Sequence, residues 1–482
     1  MSLTAPLVVH GRLRPGETAL VFGDDRLKWA DLDRAVTRLE ALITSRVPAG
    51  QGVALSLPNS PALVLLVLAA CRAGREAQVF DPGWPEATAR RVTERLKPAW
   101  TVAGLDLDIP FAQVSDALGA PADPPPLAEP SPDLPFYVGF TSGSTGIPKG
   151  FRRSQASWIA SIAGEAEVFG LDHTGTVLAP GALVHSLFLY AVVRGLHAGA
   201  KVVFGPRFSA RAALAAIERE DVRVLYAVPT QLLMLIEAAE RAGQGPIKRV
   251  TRVLSSGAKW PPSETARLKR LFPNAAFAEF YGASELSFVA YADESAPADS
   301  VGRPFPGVEV TIRDASGRRL PVGRTGRVYV RSALCFLEYA TGEEPALRRE
   351  GEALSVGDMG FFDAGGFLHL VGRADRMIIS SGRNIHPEEI EAVLRRHPDI
   401  AEAAVLGVAD AKRGTRLQAI IKPAGQPPTA AELMAFARAH LPASKVPRHV
   451  AVLAEWPHTA SGKTDFAGVA RAWQAGACAA LA

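Results

Sequence analysis

Residues 140–150 read F-T-S-G-S-T-G-I-P-K-G, seven of the eleven being Gly, Ser or Thr, with a lysine near the end. Small residues let main-chain N–H groups crowd round an anion, hydroxyls add donors, and a lysine adds a compact charge. Thr141, Ser142, Gly143, Ser144, Thr145, Gly146 and Lys149 together have the make-up of a phosphate-holding loop. The G-x-x-x-x-G-K-[ST] spacing is absent, so this is not a Walker A loop. The apolar, aromatic residues 136–140 predict a strand leading into it. A flexible connector would share this composition, and the rest of the chain has to decide between the two.

Several further stretches carry groups with chemistry to offer. S-S-G-A-K spans 255–259 and E-F-Y-G-A-S-E spans 279–285; G-D-M-G at 357–360 precedes G-F-L-H-L-V-G-R-A-D-R at 366–376. S-G-R-N-I-H-P-E-E-I-E follows at 381–391, and P-H-T-A-S-G-K closes the series at 457–463. His185 sits in P-G-A-L-V-H-S at 180–186. Each has a plainer reading. Glu285 could cap or pair at a helix start, Asp358 could form a turn, and Tyr281 could be core packing. Arg373 and Asp375 could pair on the surface. Lys463 could be a solvated charge and His185 a satisfied core histidine.

The elements that would position these groups follow from periodicity. Leu32, Val36, Leu39 and Ile43 recur at helical spacing within 27–47. Residues 53–57 read as a strand, Asn59-Ser60-Pro61 as a helix cap with proline just inside, and 61–72 as a helix ending at Gly74. Strand and helix then alternate: 201–204, 210–220, 222–227, 231–242, 250–255, 262–271. Such alternation implies parallel sheets covered by helices. Residues 120–135, rich in Pro, Ala and Asp, read as an exposed linker. From 302 to 330 short strands with tight turns suggest a β-rich subdomain, about 300–372. The main boundary is placed after 374: an N-terminal domain 1–374 and a small mobile α+β C-terminal domain 375–482.

Composition sets the outer limits. A chain of 482 residues is too long for one core. With 48% hydrophobic and 21% charged residues it is an ordinary globular protein. The net charge is +4, and basic residues such as Arg152, Arg153, Arg252 and Lys269-Arg270 are scattered, which gives no nucleic-acid footprint. Cys71, Cys335 and Cys478 lack metal-ligand spacing and read as small apolar residues in a reducing compartment. The first sixteen residues lack a secretory pattern. The most apolar run, 62–71, is about half a membrane span and reads as a buried helix. The expectation is a cytoplasmic protein with no membrane span; its oligomeric state is open.

In their order, these motifs resemble the acyl-adenylate-forming superfamily: acyl- and aryl-CoA synthetases, adenylation domains of peptide synthetases, and firefly luciferase. The resemblance covers essentially the whole chain, including L-K-W-A-D-L at 27–32 and L-P-N-S at 57–60. It implies an ATP-dependent acid–thiol ligase: a carboxylate attacks the α-phosphate of Mg2+·ATP, pyrophosphate leaves, and a thiol then displaces AMP. It also implies roles. Thr141 to Gly146 and Lys149 would cradle the β- and γ-phosphates. Glu285 would hold Mg2+, Asp358 would bind the ribose hydroxyls, and Arg373 would approach the ribose or α-phosphate. Tyr281 would face the adenine, with Gly257, Ala258, Gly282 and Ser284 nearby. Lys463 would bridge the α-phosphate and the attacking carboxylate. His185 would gate the acid pocket or steady the carboxylate. Asp375 would be the hinge of a rotation that brings Gly382 towards the thiol.

The thiol implied is coenzyme A, the alternative being a phosphopantetheinyl carrier protein; Arg383 and 445–448 could meet either. Residues after His185, 226–230, Ser256, Gly257, Gly282, Leu286, Ser287 and Phe288 would line the acid pocket. They are small or apolar, which suits a fatty or aromatic acid with a neutral tail. No acidic residue lies between Ser186 and Gly195 to meet an amino acid's ammonium group. Departures from the family pattern are Ser284 for threonine, Arg327 after Gly326, and Glu338-Tyr339 where glycine–tyrosine is expected. The last two are expected to lie far from the chemistry.

Overall fold

The structure, a computed structural model, describes residues 2–105, 109–124, 128–141, 147–171, 175–342, 347–380, 383–410, 414–458 and 464–481. Helix Pro61–Arg72 shows how sequence becomes position. Ser60 accepts a hydrogen bond from the Leu63 amide, Pro61 occupies the first turn, and Gly74 turns left-handed just beyond the end. Such a cap is worth about 1 kcal/mol. Residues 61 to 71 are buried on every side, as expected of a helix apolar all round. Among the described residues no helix is long and apolar enough to cross a membrane.

Two large sheets form the N-terminal part. In the nine-stranded sheet, Ala276–Ala283, Arg252–Ser255, Val222–Ala227, Thr176–Ala179, Lys201–Phe204 and Thr18–Phe22 lie side by side and parallel. Antiparallel strands close its edges: Ser287–Ala292 then Arg303–Pro304 on one side, Asp25–Lys28 on the other. In the second sheet Pro135–Thr141, Glu76–Val79, Gly52–Ser56 and Trp100–Ala103 are parallel. Lys149–Ser154 and the two-residue Glu338–Tyr339 add antiparallel strands at one edge. The parallel centres agree with the alternation in the sequence. The antiparallel edges do not: Asp25–Lys28 and Ser287–Ala292 follow their neighbours after short turns and fold back beside them, and Glu338–Tyr339 pairs with a strand remote in the chain.

A third sheet is antiparallel and holds Glu309–Arg313, Gly326–Arg331, Arg348–Glu350, Ala353–Ser355, Asp358–Phe362 and Leu368–Arg373. The smaller C-terminal part has its own core, including Ile390, Leu394, Val405, Ile421 and Leu433. It is built on the strands Ile400–Asp410, Gly414–Pro423, His449–Val452 and Ala479–Ala480 with helices Pro387–Leu394, Ala430–His440 and Phe466–Gln474. The described part of 120–135 is less free than its composition suggests. Arg38 donates to the carbonyls of Ala120 and Pro121, and Pro130 packs over Gly74.

Candidate functional site

The lysine-bearing loop joins two antiparallel strands. Thr141 and Lys149 face each other across the pair Pro135–Thr141 and Lys149–Ser154, so they mark the two sides of its mouth. Ser142, Gly143, Ser144, Thr145 and Gly146 lie outside the described residues, as do Gly382 and Lys463. Beneath the mouth, Phe140 meets Phe80 and Trp84 edge-on, at 5.5 and 4.9 Å between ring centres. Ile147 is buried in the same cluster.

The second group joins the carboxyl end of a parallel strand in the nine-stranded sheet, where α/β proteins place ligands, to two paired strands of the antiparallel third sheet. Strand Ala276–Ala283 carries Tyr281, whose hydroxyl donates to Asp358 Oδ2 at 2.5 Å. Asp358 is the cross-strand partner of Arg373, and its Oδ1 lies 3.5 Å from that guanidinium. Arg373 also donates to the Val356 carbonyl at 2.6 Å and reaches Asp375 at 3.4 Å. Burial and the charge of Asp358 push the Tyr281 phenol well above its ordinary range. Burial alone would lower the pKa of Arg373, but Asp358 and Asp375 outweigh it and raise it. Tyr281, Asp358 and Arg373, far apart in the chain, therefore form one connected row.

Gly257 turns left-handed at φ 92° after strand Arg252–Ser255; it and Ala258 are exposed. Ser256 donates to the Phe280 carbonyl at 2.9 Å, tying this turn to the Tyr281 strand. Gly282 has a packing reason to be glycine. A Cβ there would stand 1.9 Å from the Ser287 carbonyl oxygen. Ser284 Oγ lies 3.4 Å from Ser186 Oγ, the first residue of helix Ser186–His197, and His185 is the N-cap of that helix. The loop ahead of His185 is fixed by buried Asn59, which donates to the carbonyls of Gly181 and Gly205 and accepts from the Leu183 amide.

Glu285 is buried, at 7% exposure, and is held from three directions. The Tyr339 hydroxyl donates to its Oε1 at 2.7 Å, and the Phe336 amide donates to its carbonyl at 2.7 Å. Arg153 donates to the preceding carbonyl, that of Ser284, at 3.0 Å. Residues 334–341 form a strap from here to the lysine hairpin: Leu337 N binds the Arg152 carbonyl, Ala340 N the Gly150 carbonyl, and Gly150 N the Thr341 hydroxyl. This corrects the expectation for Glu338-Tyr339. Glu338 pairs with Arg152, and Tyr339 touches the candidate metal-binding carboxylate.

The sequence also missed Arg153, which it placed among scattered basic residues. The guanidinium is 3% exposed. A signal existed: Phe151 and Arg153 share one face of a strand, and the aromatic face turns inward. Lys445, considered for an anionic partner, is instead engaged with Glu389. Of the cysteines, Cys71 is buried and all three are free.

The sequence matches the family described as AMP-binding enzyme over residues 9–340, and AMP-binding enzyme C-terminal domain over residues 389–463. It is 34% identical over 484 residues to the uncharacterized acyl-CoA ligase YhfT of Bacillus subtilis (strain 168), with 96% of each chain covered. It is 32% identical over 483 residues to a feruloyl-CoA synthase of Amycolatopsis sp, covering 95% of this chain and 96% of the relative. Among solved structures it is similar to o-succinylbenzoate coenzyme A synthetase from Bacillus subtilis in complex with ATP and magnesium ion. There the TM-score is 0.84 at 25% identity, covering 95% of this chain and 97% of the other.

Proposed function

Since this chain belongs to the AMP-binding enzyme family and is an acyl-CoA ligase working through an acyl-adenylate, we propose a division of labour among its residues and a class of acid. The observation that carries the proposal is the strapped junction of the Lys149 hairpin with Glu285, together with the row Tyr281, Asp358, Arg373, whose arginine feels the charge of Glu285. Together these residues would offer a cation for phosphates, a carboxylate for a metal and a polar row for a nucleoside.

In the first half-reaction a carboxylate oxygen attacks the α-phosphorus of ATP and the bond to pyrophosphate breaks. Two anions must meet, so catalysis is mainly positioning and charge stabilisation. Thr141, Lys149 and residues 142–146 hold the β- and γ-phosphates. Asp358 takes the ribose hydroxyls, Arg373 the ribose or α-phosphate, and Tyr281 offers its ring to adenine beside Gly257, Ala258, Gly282 and Ser284. Lys463 neutralises the two oxygens that approach each other.

Glu285 suits Mg2+, which supplies charge neutralisation at the phosphates when bound. It is a buried carboxylate, and among the described residues no three His, Cys, Asp or Glu side chains gather to cage an ion. Mg2+ usually takes one or two carboxylates and keeps waters and substrate phosphates as its other ligands.

In the second half-reaction the sulfur of coenzyme A attacks the acyl carbon and AMP leaves. The domains divide at 374/375, Asp375 is the pivot, and Gly382 faces the thiol after rotation. His185, capping the helix beside Ser284, stands at the acid.

The acid carries a neutral fatty or aromatic tail. Leu286 and Phe288 are buried, and Arg194 near Tyr226 is neutralised by Glu165. The feruloyl-CoA synthase among the relatives fits an aromatic acid.

The test is ATP–pyrophosphate exchange across fatty, aromatic, amino and dicarboxylic acids, with Lys463→Ala in parallel. Neutral acids should support exchange. The variant should lose at least about a hundredfold in exchange while still transferring the acyl group from supplied acyl-adenylate. No exchange with any acid would overturn the assignment, and equal loss of both half-reactions would overturn the role of Lys463. Comparing coenzyme A with a phosphopantetheinylated carrier protein as acceptor decides the thiol.

A further inference from the structure

Arg153 is a buried cation with an unusual set of partners. Among the described residues its guanidinium donates to the Ser284 carbonyl at 3.0 Å, the Leu334 carbonyl at 2.6 Å and the Ser157 hydroxyl at 3.2 Å. None of these is a carboxylate. Taking an arginine out of water without a bonded counter-charge is costly, and a core would ordinarily use an apolar side chain there. Burial pulls its pKa down to about 10, and it remains cationic at neutral pH.

The two carbonyls explain its presence. Ser284 immediately precedes Glu285, and Leu334 begins the strap whose Phe336 amide binds the Glu285 carbonyl and whose Tyr339 hydroxyl binds its carboxylate. The side chain itself springs from strand Lys149–Ser154, which starts at the lysine of the phosphate hairpin. A guanidinium is a rigid planar fork, so it fixes the spacing of the carbonyls it binds. We propose that Arg153 is a positioning residue that sets Glu285, the carboxylate that would hold the metal, relative to the Lys149 hairpin that would hold the phosphates. The inference rests on the reading of Glu285 as the Mg2+ ligand.

Partners one shell out from a metal ligand typically change metal affinity about 10- to 100-fold when removed. The variants are Arg153→Met, which keeps length and loses the donors, and Arg153→Lys, which keeps the charge and loses the fork. Mn2+ serves as a spectroscopic probe, with free ion read by electron paramagnetic resonance in the presence of a non-hydrolysable ATP analogue. Arg153→Met should weaken Mn2+ binding about tenfold or more and raise the Mg2+ needed for half-maximal exchange by the same factor. Arg153→Lys should recover only part of this. Acyl transfer from supplied acyl-adenylate to coenzyme A should stay within about twofold of wild type in both, since that step follows metal–pyrophosphate release.

A folded Arg153→Met protein with wild-type Mn2+ affinity, or one whose two half-reactions fall together, overturns the proposal. Should Arg153→Met fail to fold, Tyr339→Phe removes one hydroxyl from the same frame and must shift Mn2+ affinity in the same direction; an unshifted value overturns the proposal. A wild type that never exchanges pyrophosphate would instead refute the function proposed above, so the two failures are distinguishable.

Discussion

Glu165 and Arg194 are buried together, at 0% and 1% side-chain exposure, with 3.2 Å between them. Tyr190 and Tyr226 both donate hydroxyls to the same carboxylate. Burial raises the pKa of Glu165, while Arg194 and the two hydroxyls pull it back. With every oxygen engaged, the group reads as a bracket between helix Gln155–Phe169, helix Ser186–His197 and strand Val222–Ala227. Glu165→Leu strands a buried guanidinium and two hydroxyls, and should cost about 3–5 kcal/mol in a denaturant titration. A loss below about 1 kcal/mol would show that the bracket is not holding these elements. At this scale the sequence draws attention to residue types that cluster locally, as at 279–285, where Tyr281 is joined to Asp358. It was opaque where partners are remote: Tyr339 is 54 positions from Glu285, and Arg153 is 131 from Ser284. No local pattern records such a pair.

Elements with a strong period and clear punctuation were readable. Helix Pro61–Arg72 and strand Val222–Ala227 fall where cap, proline and apolar spacing put them. The β-rich stretch announced itself through its turns, and Asp314 indeed accepts from the amides of Ser316 and Arg318, with Gly317 left-handed. The return strand of the Lys149 hairpin was not readable, because K-G-F-R-R-S has only one apolar residue and is held by pairing, not by propensity. The hairpin of Ala276–Ala283 with Ser287–Ala292 offers a test at this scale. In Gly282→Ala the new methyl meets the Ser287 carbonyl oxygen, and the strands must part. The expected loss is about 3 kcal/mol, with nucleotide binding lost in step, because Tyr281 and Ser284 flank the bend. A variant of wild-type stability by thermal melting would mean that the hairpin yields without cost.

For the whole molecule, Glu388 is the group to watch. Its Oε1 accepts from the Arg373 amide at 3.3 Å, ahead of the proposed pivot, and from Arg376 at 3.1 Å, beyond it. A Cβ at Gly372 would stand 2.2 Å from Glu388 Oε2, so a larger residue there would have to push this carboxylate aside. A rotation about Asp375 would part Glu388 from Arg373. Glu388→Ala should therefore move the two half-reactions in opposite directions, as measured by pyrophosphate exchange and by transfer from supplied acyl-adenylate. Parallel changes would count against a latch. The two-part architecture was foreseeable from length and from the return of helix–strand rhythm late in the chain. The contact across the pivot was not, since it depends on how one body is docked upon the other.

Three of the four edges of the two large sheets have a consequence of their own. An open β-edge is a row of unpaired amides that can recruit a neighbouring molecule. Here one flank of the larger sheet ends in the two-residue Arg303–Pro304, where proline withholds a donor, and the other in the charged strand D-R-L-K. One edge of the second sheet stops at the equally short Glu338–Tyr339, while its other edge is the four-residue Trp100–Ala103. Those few residues are a guard against fibre growth, built into a chain whose interior strands are among its stickiest parts.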